Sequence, residues 1–155
     1  MATKKVNVTI NGIEVQVPED YTVLMAAREA GIDIPTLCYL KDINEVAACR
    51  LCVCEAEVNG RPMRNLPTSC VLKVEDGMVV RTDTEKVRKA VKMNLELILA
   101  NHNRECLTCT RNQTCELQKL CHEMGIDMER FEGEKRPVCI DDLSPAIIRD
   151  SSKCV

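Results

Sequence analysis

The sequence predicts an α+β protein: a small roll in which one helix crosses a sheet of hairpins, followed by a helical unit rich in cysteine. Three observations carry this expectation. Apolar and polar residues alternate through two stretches that each turn at Asn-Gly, at Asn11-Gly12 and Asn59-Gly60. An alanine-rich helical run follows the first of them, and beyond residue 82 the apolar spacing changes from two to between three and four. A chain of 155 residues has room for one ordinary domain or two small ones.

Taken in order, Val6, Val8 and Ile10 alternate with polar residues, and Ile13, Val15 and Val17 resume the alternation after Asn11-Gly12, so residues 5 to 17 read as a hairpin. Thr22 is a candidate N-cap and Gly31 a candidate C′ residue, which bracket a helix from Thr22 to Ala30. From Pro35 to Cys52 no period is visible; then Cys54, Ala56 and Val58 alternate with Glu55 and Glu57 before the second Asn-Gly turn. Asp76-Gly77 leads into a closing strand, Met78 to Arg81, and Thr82 with Glu85 forms a capping box for the next helix. That helix covers residues 83 to about 101, with Val87, Val91, Leu95, Ile98 and Leu99 on one face. A cysteine loop over 102 to 115 precedes a helix that runs to Met124 and stops at Gly125. Residues 126 to 150, broken by Gly133, Pro137 and Pro145, are expected to be mostly irregular.

Composition narrows the chemistry. There are 11 cysteines against three aromatic residues (Tyr 2, Phe 1, Trp 0). No secretory signal pattern opens the chain, so a reducing, cytoplasmic setting is expected, in which grouped cysteines read as metal ligands before disulfides. No apolar run is long enough for a membrane span. A net charge of −3 with scattered basic residues argues against nucleic acid as a partner.

The cysteines fall into two constellations. Cys38, Cys49, Cys52 and Cys70 follow C-x10-C-x2-C-x17-C, and such thiolates can enclose two irons and two sulfides. The spacing differs from the plant-type pattern, and a zinc site or buried inert thiols stay open as alternatives. Cys54 offers a rival ligand two residues beyond Cys52, although a small core hydrophobe is the plainer reading. The second set, His102, Cys106, Cys109 and Cys115, follows H-x3-C-x2-C-x5-C, the arrangement expected of a cubane with one imidazole ligand. Cys115 stands at the front of a helix, where free N–H groups favour an anionic group. Cys121 and His122 are adjacent on that helix and so point about 100° apart; they read as a core-facing thiol and a surface imidazole. Cys139 has no partner at ligand spacing and reads as a small buried residue.

The stretches Ala48-Cys49-Arg50-Leu51-Cys52-Val53 and Leu97 to His102, and then Cys106 through Cys115 to Gln118, resemble the N-terminal iron-sulfur region of [FeFe]-hydrogenase catalytic subunits of the NAD(P)-linked or electron-bifurcating type. Related stretches occur in the complex I large iron-sulfur subunit and in NAD-dependent formate dehydrogenases. Thr108-Cys109-Thr110-Arg111-Asn112 and the tail from Leu143 to Asp150 lean toward the hydrogenases.

The resemblance implies a β-grasp (ubiquitin-like) ferredoxin domain over 1–81, a helical domain over 82–125, and an irregular linker over 126–155 leading toward a truncated ferredoxin-like domain that Cys154 would open. It implies that Cys38, Cys49, Cys52 and Cys70 hold a [2Fe-2S] cluster and that His102, Cys106, Cys109 and Cys115 hold a [4Fe-4S] cluster. Cys54 and Cys121 depart from the family pattern, which tends to have an apolar residue at each place. The expected function is a relay of single electrons between NAD(P)H-oxidising flavoprotein or iron-sulfur subunits, or a ferredoxin, and a hydrogenase-type catalytic subunit or domain. The alternative is that the chain is a fragment of a complete [FeFe]-hydrogenase or of a formate dehydrogenase. No residue in it is expected to be catalytic, because the hydrogen-activating centre of that family has no counterpart here.

Overall fold

The computed structural model describes residues 4–128, 130–131 and 133–153, which form two compact units, Met1–Val91 and Lys92–Val155. In the first, strands β1 (Lys5–Ile10) and β2 (Ile13–Pro18) pair antiparallel with Val6 opposite Val17 and Val8 opposite Val15. Asn11 (φ +49°) and Gly12 (φ +83°) are both left-handed, as the predicted type I′ turn requires. Helix α1 (Val23–Glu29) starts where Thr22 Oγ1 accepts the Met25 N–H at 3.3 Å. It buries Val23, Leu24, Ala26 and Ala27, the alanines allowing a close approach to the sheet.

Strand β3 (Glu55–Val58) returns through Asn59 and Gly60 into β4 (Arg61–Pro62). Pro62 stands opposite Glu57, and one further backbone bond, from Met63 N–H to the Ala56 carbonyl at 2.8 Å, closes the pairing beyond it. Strand β5 (Met78–Arg81) inserts between β1 and β3, so the sheet order is β2-β1-β5-β3-β4. The β1–β5 pairing is parallel and the others antiparallel. Val6, Val8, Ile10, Val17, Ala56, Met78 and Val80 point into one core with the apolar face of α1. Each large side chain so buried is worth about 1.5–3 kcal/mol.

The capping box expected at Thr82 is not formed. Thr82 is tied to the hairpin turn instead: its N–H donates to Asn11 Oδ1, and its Oγ1 accepts from Asn11 Nδ2, both at 2.8 Å. Thr84 caps the helix, its Oγ1 accepting the Val87 N–H at 3.2 Å. Helix α2 (Glu85–Asn101) buries Val87, Val91, Leu95 and Leu99 along one stripe, as the periodicity predicts, and also Glu96, whose carboxylate pairs with Arg130.

In the second unit a 3₁₀ turn (Cys106–Thr108) and helix α3 (Glu116–Glu123) flank the cysteine loop. Gly125 (φ +60°) ends α3, as expected. The stretch read as irregular contains one short ladder, β6 (Ile140–Asp141) against β7 (Arg149–Asp150), then a 3₁₀ turn (Ser151–Lys153). Strands of two residues carry no readable period. Cys139, expected to be buried, is exposed beside this ladder; its N–H donates to Ser151 Oγ at 2.7 Å. Cys154 lies outside the described residues. Among the described residues, no helix is long and apolar enough to cross a membrane.

Candidate functional site

The first constellation is assembled by backbone pairing that no local pattern announces. Ser69 N–H donates to the Cys52 carbonyl at 2.8 Å and Cys54 N–H to the Pro67 carbonyl at 3.0 Å, around a bridge between Val53 and Thr68. This pairing brings Cys70 beside Cys52, close enough for each thiol to feel the other. Helix α1 is anchored on the same segment, since Leu24 N–H donates to the Ser69 carbonyl and Val23 N–H to that of Leu72.

Cys38 and Cys49 come from the loop between α1 and β3. Asp42 (φ +62°), Ala47 (φ +53°) and Arg50 (φ +56°) are left-handed there without being glycine, a conformation that costs on the order of 1–3 kcal/mol each. Such turns aim successive N–H groups at a common centre, and Cys49 N–H donates to Cys38 Sγ at 3.4 Å. Burial works to raise the pKa of the Cys49 thiol, but the backbone amides of Leu51, Leu37 and Cys38 outweigh it and hold the thiol below its ordinary value. Cys38 is shifted upward, chiefly by burial.

Cys70 is pushed up to about 12 by burial, by its contact with the Cys52 thiol, and by the nearby Cys38 and Cys49. Thiols this close resist ionising together, and a cationic iron core relieves that repulsion while taking all four as thiolates. The donor set therefore fits a thiolate-bound cluster. Cys54 is different. It is fully buried, its S–H donates to the Pro67 carbonyl at 3.7 Å, and burial followed by Cys52 pushes it up to about 12. That geometry suits a protonated core thiol.

In the second unit, His102, Cys106, Cys109 and Cys115 line one cavity of about 350 Å³. The loop is held by Asn103 N–H donating to the Ser152 carbonyl at 2.7 Å and by Gln118, whose amide reaches Asn112 Oδ1 at 2.9 Å and accepts the Gln113 N–H. Cys115 is the N-cap residue of α3, in extended conformation, with the first turn's N–H groups beyond it. No described cysteine here is fully buried, and three sulfurs and an imidazole around a space of this size suit a cubane. Among the described residues, no three or more His, Cys, Asp or Glu side chains are drawn together as a single metal ion would need.

Of the eight residues predicted as ligands, Cys38, Cys49 and Cys52 lie within electrostatic reach of Cys70 in the first unit, and His102, Cys106, Cys109 and Cys115 line one cavity in the second. The structure adds one that the sequence reading placed elsewhere: Cys121 is half-buried on the cavity wall rather than in the core, while His122 is exposed as expected. Its spacing from Leu117 could have located it, because residues four apart share a helix face.

Residues 3–85 match the family described as 2Fe-2S iron-sulfur cluster binding domain, and residues 92–130 match the NADH-ubiquinone oxidoreductase-G iron-sulfur binding region. The chain is 43% identical over 153 residues to the NADP-reducing hydrogenase subunit HndD of Solidesulfovibrio fructosivorans, covering 96% of this chain and 26% of that one. It is 36% identical over 152 residues to the NADPH-Fe(3+) oxidoreductase subunit alpha of Geobacter sulfurreducens, covering 97% of this chain and 17% of that one. It is 34% identical over 150 residues to the NADH-ubiquinone oxidoreductase 75 kDa subunit of Reclinomonas americana, covering 97% of this chain and 21% of that one. A crystal structure of NAD+-reducing [NiFe]-hydrogenase in the H2-reduced state superposes with a TM-score of 0.78 at 31% identity, over 90% of this chain and 57% of that one. The chain thus spans about a quarter or less of the three relatives' length.

Proposed function

We infer the ligands and the electron route from one premise: the chain belongs to the 2Fe-2S iron-sulfur cluster binding domain family, and it is an electron-transfer module pairing a [2Fe-2S] domain with a [4Fe-4S] region. Cys38, Cys49, Cys52 and Cys70 bind the [2Fe-2S] cluster, and His102, Cys106, Cys109 and Cys115 the [4Fe-4S] cluster. The observation that carries this assignment is the convergence of four thiols in the first unit, with the Cys49 amide on Cys38 Sγ. The first unit is a β-grasp domain, a reading supported by its mixed sheet with parallel β1 and β5 at the centre and α1 across one face. We place the functional boundaries at 1–81, 82–125 and 126–155.

When bound, the clusters supply reversible one-electron transfer. The chain's own residues fix where that happens and at what potential. Backbone N–H groups on sulfur stabilise negative charge, burial opposes it, and the neutral imidazole of His102 leaves its cluster one unit less negative than a fourth thiolate would. The module relays electrons between NAD(P)H-oxidising flavoprotein or iron-sulfur subunits and further clusters of a hydrogenase-type assembly in the cytoplasm. The 43% identity to a hydrogenase subunit favours that setting over a formate dehydrogenase.

Anaerobically purified chain should contain iron and acid-labile sulfide in equal amount and show two reduced-state paramagnetic signals. Zinc in a colourless preparation would overturn the reading. His102→Cys should keep a cubane and lower its potential, and an unmoved potential would remove His102 from the ligand set.

A further inference from the structure

We propose that Cys121 is a reserve ligand of the four-iron centre, able to bond the iron left bare when Cys106 or Cys115 is lost. The proposal rests on the ligand assignment above and extends it to a fifth residue of the same cavity.

Leu117, Gln118, Cys121 and His122 all line the cavity, so one continuous face of α3 forms its wall. The rotation of that helix is set by packing, because Leu117 and Leu120 are buried. Its end is also set, because Ile126 N–H donates to the Cys121 carbonyl at 2.9 Å while Gly125 turns the chain back. Cys121 is therefore held one turn beyond Leu117 with its thiol on the wall that faces the other cysteines. Burial raises its pKa, and so do Cys115 and then Cys106, which places those two thiols within its electrostatic reach. Cys106 and Cys115 line the same cavity as Cys121, and the reserve role is assigned to those two positions.

The chemistry asks for little. Thiolate sulfur is the soft donor that cluster iron prefers over alkoxide or water. In a chain lacking Cys106 or Cys115, an iron–sulfur bond to Cys121 forms at the open position and the thiol proton passes to water. No electron is transferred and no other bond breaks. His122 borders the same cavity, but it is exposed and offers imidazole rather than thiolate.

The test compares Cys106→Ala and Cys115→Ala, each with and without Cys121→Ser, after anaerobic cluster assembly on the full chain. The paramagnetic signal of the [2Fe-2S] cluster serves as an internal control for folding. Each single variant is expected to keep a four-iron centre with a shifted spectrum, each double variant to lose it, and Cys121→Ser alone to keep the unaltered spectrum. Loss of the centre in both single variants would overturn the proposal, as would its loss in Cys121→Ser alone, which would make Cys121 an ordinary ligand. Retention of the unaltered spectrum in Cys109→Ala would instead overturn the ligand assignment beneath it.

Discussion

The two cysteine centres differ in how far each is set into a core. In the first unit Cys38 and Cys49 are half-buried, but Cys52 and Cys70, with the neighbouring Cys54, belong to the hydrophobic core, exposed by 1% or less, among Val8, Ile10, Leu24 and Met78. In the second, every described cysteine is half-buried or exposed, and among the described residues of Lys92–Val155 the buried apolar side chains are Leu95, Leu99, Leu117 and Leu120. One site is set into a core that the sheet and α1 already supply. The other lines a cavity in a unit with little else to pack. The ligand assignment proposed above therefore predicts that a bound cluster adds little to the folding of the first unit and does the work of a core in the second.

That contrast can be broken by experiment, and the largest effects fall on the clusters. Cys52→Ala should abolish the [2Fe-2S] signal and leave the [4Fe-4S] signal whole, while Cys109→Ala should do the reverse; either variant losing both would show that the units do not load independently. Stripping iron with a chelator should raise amide exchange across residues 102–123 by orders of magnitude, while β1, β2 and β5 stay protected. Equal exchange in both units would remove the distinction. Asn11→Ala forfeits two hydrogen bonds to Thr82 and places alanine at a left-handed position, for a loss of about 2 kcal/mol in the first unit. Its thermal transition should fall with the [4Fe-4S] spectrum unmoved. The smallest change is Cys54→Ala, which trims one buried sulfur at a cost of about 1 kcal/mol. It should leave the [2Fe-2S] spectrum intact, and disappearance of that signal would make Cys54 a ligand.

Legibility in the sequence follows the range of the interactions involved. Asn11-Gly12, Thr22 with Gly31, and the stripe of Val87, Val91, Leu95 and Leu99 are set by neighbours and can be read directly. The capping box fails because Asn11, distant in sequence, claims Thr82, and the helix starts two residues later from Thr84. The pairing of 52–54 with 67–69, which closes the long gap to Cys70, has too few residues to show a period. Cys139 reads as buried because cysteine usually is, but the two-residue ladder beside it builds no core. Cys121 draws attention through its adjacency to His122, which hides its alignment with Leu117 one turn earlier.

The left-handed residues Ala47 and Arg50 bear on anyone wishing to transplant this cysteine loop to another scaffold. Hydrophobic pattern and ligand spacing would be copied readily, yet both positions accept glycine or asparagine at little loss and reject valine or isoleucine, whose branched Cβ clashes at positive φ. A graft chosen by cysteine spacing alone would keep Cys49 and misdirect its amide, delivering the sulfurs without the hydrogen bond to Cys38. The portable unit is the backbone trace from 38 to 52, with the cysteines as its most visible marks.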